Sequence, residues 1–269
     1  MGNMRIEGIV KKMKLSPTKP VGYEWVTDQG RIQLNSLLGK KIRLKFEGEI
    51  FCIHCNRKTK NSFQQGHCYP CSIKLASCDI CMVRPEKCHF EKGTCREPEW
   101  GLKECFQNHY VYLANSSGIK VGITREHQIP TRWLDQGAIQ ALPIVKVKNR
   151  LHSGLIETRL SGFIADKTQW QRLLKQEAEK VDFTIQRDLV LKSLSDFKEF
   201  EFDILPMEEK EFQYPVLSYP EKIKSLNFDK LNLIEGVLTG LKGQYLILDT
   251  GVLNVRQAQG YKIIFEEIT

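Results

Sequence analysis

Apolar and polar residues alternate through both ends of the chain, and a helical spacing of apolar residues occurs only in its middle. RIEGIVKKMKL, GYEWVT, RIQL and KKIRLKFEGE lie in the first 50 residues. They are rich in β-branched and aromatic residues, are separated by Gly, Pro or Asp-Gln-Gly, and predict four short strands. NLIEGVLTGL, QYLILDT, GVLNV and YKIIFEE predict a second set near the C-terminus. The two sets resemble each other. IEGIVKKMK at Ile6–Lys14 parallels IEGVLTGLK at Ile234–Lys242, and DQGRIQLNSLLGKKIRLKFEGE at Asp28–Glu49 parallels DTGVLNVRQAQGYKIIFEEI at Asp249–Ile268 with a two-residue gap. A repeated four-strand module implies two small antiparallel barrels or one shared sheet.

The middle follows other rules. HYVYLA at His109–Ala114 and GIKVGIT at Gly118–Thr124 predict a hairpin turning on Asn115-Ser116-Ser117-Gly118. Pro130 stands where a helix over TRWLDQGA would begin. Ala141–Arg150 reads as a third strand. Ser153 is a candidate N-cap for a helix with Leu155, Ile156, Leu160, Phe163 and Ile164 on its apolar face. Thr168 can cap a further helix over QWQRLLKQEAEK. Asp203–Pro220 is acidic, contains Pro206, Pro215 and Pro220, and reads as an extended connector. The expected organisation is a β-rich module at 1–50, a cysteine-rich segment at 51–108 and an α+β domain at 109–202. A connector at 203–230 and a second β module at 231–269 complete it.

All nine cysteines fall between Cys52 and Cys105. The N-terminus, MGNMRIEGIV, lacks the pattern of a signal peptide, and no apolar run approaches membrane-spanning length. Clustered cysteines in such a chain predict metal ligands in a reducing cytoplasm in preference to disulfides. Cys52-x2-Cys55-x12-Cys68-x2-Cys71 has the spacing of a closed zinc site with four thiolates, in which each knuckle aims two sulfurs at one point. Cys78-x2-Cys81 opens a second site. Its remaining ligands lie among Cys88, His89, Cys95, Cys105 and His109. Cys88 and Cys95 are the expected pair, leaving Cys105 as a small buried residue. A closed thiolate site builds shape and leaves no coordination position for chemistry.

The net charge of +8 is unevenly spread along the chain. Residues 1–60 carry 13 Lys/Arg against 5 Asp/Glu, residues 110–175 carry 10 against 4, and residues 176–269 carry 11 against 17. A basic front and middle with an acidic tail fit a protein that meets a polyanion, and nucleic acid is the expected partner.

Tyr110-Val111-Tyr112 on the first middle strand and Lys120-Val121-Gly122 on the second, followed by Arg132 and Glu157 on successive helices, form an ordered series. In this series the middle domain resembles the GIY-YIG nuclease superfamily. The resemblance implies a three-stranded antiparallel sheet with flanking helices. It implies that Tyr112 activates water and Arg132 holds the scissile phosphate, while Glu157 binds one Mg2+ and Lys120 contacts phosphate or tunes Tyr112. Tyr110 occupies the place of the first motif's glycine, and Lys120 that of the second motif's tyrosine. Taken whole, with its CYPC and GTCREPEWG strings, the chain resembles the bacterial domain-of-unknown-function family numbered 2797.

The fold expected is therefore α+β, GIY-YIG-like, preceded by a double zinc segment and flanked by all-β modules. The function expected is nucleic-acid binding, with Mg2+-dependent cleavage of phosphodiester bonds in DNA or structured RNA implied by the resemblance. A non-catalytic nucleic-acid binder and a zinc-module interaction scaffold are the alternatives.

Overall fold

The structure, a computed structural model, describes residues 4–165, 169–176 and 178–268; the candidate cap Thr168 lies outside them. In chain order the strands and helices begin with β1 (Arg5–Ser16), β2 (Gly22–Thr27), β3 (Arg31–Gln33), β4 (Lys41–Phe51), β5 (Lys58–Thr59), α1 (Tyr69–Lys74) and α2 (Pro98–Cys105). The middle holds β6 (His109–Asn115), β7 (Ile119–Arg125), α3 (Thr131–Asp135), β8 (Gln140–Val147), α4 (Arg150–Leu160), α5 (Trp170–Lys175) and α6 (Thr184–Leu194). The remainder is β9 (Asp203–Ile204), β10 (Lys210–Glu211), β11 (Ser225–Leu226), β12 (Leu233–Lys242), β13 (Tyr245–Leu248), β14 (Gly251–Asn254) and β15 (Tyr261–Ile268). Among the described residues, no helix is long and apolar enough to cross a membrane.

The chain divides into two compact units, Met1–Ile73 with Leu174–Gln176 and Gln213–Thr269, and Lys74–Leu173 with Glu177–Phe212. In the first, the two strand-rich ends form one sheet ordered β11-β14-β13-β12-β4-β15-β1-β2-β3, with β5 beside β4. Of the two arrangements the repeat allows, the shared sheet is the one adopted. The fourth strand of each copy pairs with the first strand of the other. Phe265 of β15 stands opposite Ile6 of β1, and Leu44 of β4 stands opposite Ile234 of β12. The two fourth strands meet at the centre, where Leu44 faces Phe265.

Individual hydrogen bonds repeat as well. Asp28 accepts the Ile9 N–H at 2.6 Å, and Asp249 accepts the Val237 N–H at 2.8 Å. Gly39 N–H donates to the Leu238 carbonyl and Gly260 N–H to that of Val10, both at 2.9 Å. Both glycines have a left-handed backbone, φ 78° and 89°, which favours residues without a side chain. A register shift follows Lys11 in β1 and Leu238 in β12. In β1 this bulge turns Met13 and Leu15 inward, keeping Lys12 and Lys14 out of the core.

The charge blocks read along the sequence meet across this sheet. Arg43 pairs with Glu235 and Glu266, Arg5 with Glu266 at 2.9 Å, Lys262 with Glu7 at 3.1 Å and Lys40 with Glu267 at 2.7 Å. A basic front and an acidic tail therefore do not form separate faces. The unit as a whole still carries 20 Lys/Arg against 11 Asp/Glu, so the protein's positive charge resides here.

The second unit is α+β. Its sheet runs β10-β8-β6-β7, with β9 also on β8, and is antiparallel throughout. One side packs Val111, Leu113, Val121, Leu142, Ile144 and Val145 against Ile156 and Leu160 of α4 and Val190 and Leu194 of α6. The other side carries a smaller cluster of Tyr112, Ala114, Trp133, Ala138 and Ala141. The start of α4 differs from the sequence expectation. Asn149 is its cap, accepting the His152 N–H at 2.8 Å, while the Ser153 hydroxyl bonds back to the Arg150 carbonyl at 2.7 Å. Phe163 lies past the last turn and is exposed.

Candidate functional site

The first cysteine group is built where β4 ends. Cys52 closes a knuckle by donating its N–H to the Arg57 carbonyl and accepting the Asn56 N–H, both at 2.9 Å, with Asn56 in a left-handed conformation. Cys68 and Cys71 follow a tight turn through Gln64, Gln65 and Gly66. The sulfurs of Cys52, Cys55, Cys68 and Cys71 lie within 4.8 Å of one another, and Cys55 and Cys68 are 3.7 Å apart. Burial opposes ionisation of Cys52, but the N–H groups of Cys55, Cys68 and His54 aimed at its sulfur bring it down to about 6. Burial and the neighbouring sulfurs push Cys71 up. Four thiols held this closely ionise together only around a cation, and the set fits tetrahedral zinc.

The second group is expected at Cys78, Cys81, Cys88 and Cys95. Asp79, Cys81 and His89 have ligand atoms within 4.8 Å of one another. Cys81, Cys88, Cys95 and Cys105 line one small cavity together with Asp79 and His89. Cys78 is buried but is not among the residues lining it. Cys105, a candidate ligand set aside in favour of Cys88 and Cys95, comes to this cavity on α2.

The nuclease-like residues all lie in the α+β unit. Tyr112 is on β6, Arg132 on α3, Glu157 on α4 and Lys120 on β7. The Tyr112 side chain is fully buried and its phenol donates to Gln136 Oε1 at 2.9 Å. Trp133 meets its ring edge-on, with centroids 5.8 Å apart. Gly122 is its cross-strand partner, and a Cβ there would lie 2.7 Å from the phenol oxygen. The glycine therefore makes room for the tyrosine.

Burial pushes the phenol's pKa up, the Arg132 charge pulls it down and the Glu157 carboxylate pushes it up further. Tyrosine, guanidinium and carboxylate are thus brought within electrostatic range of one another. Lys120 stands on the same side of the sheet, opposite Ala114, and is 4% exposed.

Arg150 faces a different task. It donates to the Met82 carbonyl at 2.6 Å, and burial together with the charges of Arg125 and Arg132 lowers its pKa. Tyr110 is half-buried and donates to Glu126 at 2.8 Å; burial and that carboxylate raise its pKa to about 12.

The model of the family described as protein of unknown function (DUF2797) matches residues 39–263. The chain belongs to the DUF2797 family. The match spans both units, so this member carries the first cysteine group, the cavity cysteines and the Tyr112 cluster within the family region. No curated protein and no solved structure matches this DUF2797 chain.

Proposed function

We propose that the protein is a cytoplasmic, zinc-stapled nucleic-acid-binding protein whose α+β unit holds a phosphodiester at Tyr112, Arg132 and Glu157. The observation that carries this reading is that Arg132 on α3 and Glu157 on α4 both lie within electrostatic range of the Tyr112 phenol on β6. A guanidinium forks onto two phosphate oxygens, and Arg125 and Arg150 add positive potential close to Arg132. The order of the sheet and helices suits a GIY-YIG-like domain. The nine free thiols suit a reducing compartment.

The test is fluorescence anisotropy with labelled DNA duplexes and structured RNA over rising salt. Affinity should fall steeply with salt, and Arg132→Gln should weaken it about tenfold or more, the value of one charge-assisted contact. Binding that ignores both salt and Arg132 would leave a zinc-module interaction scaffold.

Hydrolysis is the second reading, and it is favoured by the half-buried Glu157 carboxylate, whose charge, like that of Arg132, reaches the Tyr112 phenol. Glu157 would hold a single Mg2+, with water and phosphate completing its shell, and the ion would stabilise the leaving oxygen. Tyr112 would serve as base only once water reaches a phenol that is fully buried here. Mg2+-dependent strand cleavage abolished by Glu157→Gln supports this reading. Cleavage that persists in the variant removes Glu157 from it.

A further inference from the structure

We infer that Asp79, Cys81 and His89 hold a second zinc ion, in a centre built from three different donors. Their ligand atoms lie within 4.8 Å of one another, and among the described residues the Cys52 group is the only other set of metal-ligating side chains that does so. The three also line one cavity of about 20 Å³, with Phe90 and Trp100 among its walls. That volume holds a single water-sized occupant.

The hydrogen bonds around His89 show why an ion belongs between these groups. The Thr94 hydroxyl donates to the His89 carbonyl at 3.3 Å, so its oxygen accepts the Nδ1–H at 2.8 Å. The Nε2 lone pair is then left facing Asp79 Oδ1, 3.5 Å away. Two acceptors that face each other need a cation between them. A proton fills that role poorly, because a charge-assisted N–H bond to a carboxylate closes to about 2.7–2.9 Å. Zinc bound to nitrogen and oxygen at about 2.0–2.2 Å sets neighbouring donors of its tetrahedron about 3.4 Å apart. The observed separation matches two ligands on one ion.

The layer behind the donors is in place as well. Arg96 takes Oδ2 of Asp79 at 2.6 Å, and the Cys81 N–H donates to Oδ1 at 3.4 Å. One carboxylate oxygen is thus anchored outside the site and the other is turned toward it. Arg150 Nη2 donates to the Met82 carbonyl at 2.6 Å and fixes the turn that carries Cys81. Partners that aim the ligands in this way tune and orient a metal centre.

Imidazole, thiolate and carboxylate together suit zinc, whereas Mg2+ and Ca2+ take oxygen ligands. Among the described residues no fourth donor joins the group, so a water in the cavity completes the tetrahedron. The segment gains a staple from the ion. Residues 76–92 contain four single 3-10 turns, and the large apolar side chains Ile80 and Val83 are exposed. A segment that buries so little apolar surface is held by structural zinc with on the order of 10 kcal/mol or more.

This inference stands apart from the phosphodiester reading, because its readout is metal content. Native mass spectrometry of the full chain, purified with zinc, should show two ions per chain for the parent protein and one for His89→Ala and for Asp79→Ala. A parent protein holding one ion, or either variant holding two, would overturn the assignment. Should the variants fail to fold, the parent chain produced with cobalt in place of zinc decides the matter. Its thiolate-to-cobalt absorption should correspond to about five thiolates per chain, four at the Cys52 group and one at Cys81. A value of about four, or of about six or more, would overturn the ligand set.

Discussion

Acid should weaken the α+β unit through His109. This residue opens β6 and is fully buried. Its Nδ1–H donates to the Gln107 carbonyl at 2.8 Å, while its buried Nε2 has no hydrogen-bond partner among the described residues. Burial first, and then the charges of Arg150 and Arg125, lower its pKa from 6.5 to about 4. A histidine with a depressed folded pKa contributes stability above its unfolded value and loses it as pH falls toward the folded value. In that window the unfolded chain takes up a proton that the native unit refuses.

The full difference is about 3.4 kcal/mol; linkage places about 1.4 kcal/mol of it at pH ~5.5 and about 2 kcal/mol at pH ~5. Hydrogen exchange of β6 and β8 amides reads this unit separately from the rest of the chain. His109→Asn keeps a donor near the Nδ1 position and does not titrate. Zinc loss and carboxylate protonation affect both proteins alike, so the parent should lose protection relative to the variant as pH falls from ~7 to ~5. Parallel profiles over that range would refute the buried-neutral reading of His109.

The repeat makes a paired prediction. Asp28→Ala and Asp249→Ala each remove one carboxylate acceptor from an equivalent backbone N–H, and each should cost roughly 1–2 kcal/mol in urea unfolding. A large cost at one site with none at the other would show that the two halves are not equivalent. Gly122→Ala drives a methyl into the Tyr112 phenol and should cost about 1–3 kcal/mol, with a changed near-ultraviolet aromatic signal. An unchanged melting curve and spectrum would mean that Tyr112 is not locked in place.

Local structure was the legible part of the sequence. Alternation identified the strands, CxxC spacing identified the first thiol group, and the Asn115–Gly118 turn identified the β6–β7 hairpin. The repeat was visible as well, but the exchange of fourth strands was not, because pairing β4 with β12 depends on partners nearly 200 residues away. The same long-range pairing joins charge blocks that look separate along the chain. Helix α6 escaped notice because Ile185 and Leu189 are exposed and its N-cap position is Phe183, which offers no capping side chain. Cys105 was one of several candidates for the second group and spacing did not single it out, because it lies ten residues beyond Cys95 on a helix, where spacing rules for knuckles do not reach.

The exchanged strands also affect how the molecule is made. While β1 to β4 leave the ribosome, the strands that should flank β1 and β4 have yet to be synthesised, and two long edges stay open to unwanted pairing. The α+β unit lies between the two halves in sequence and has its whole sheet translated before β12 exists. Its folding can therefore shorten the gap that the late strands must close, so a defect in the middle of the gene should appear as aggregation of the opening residues.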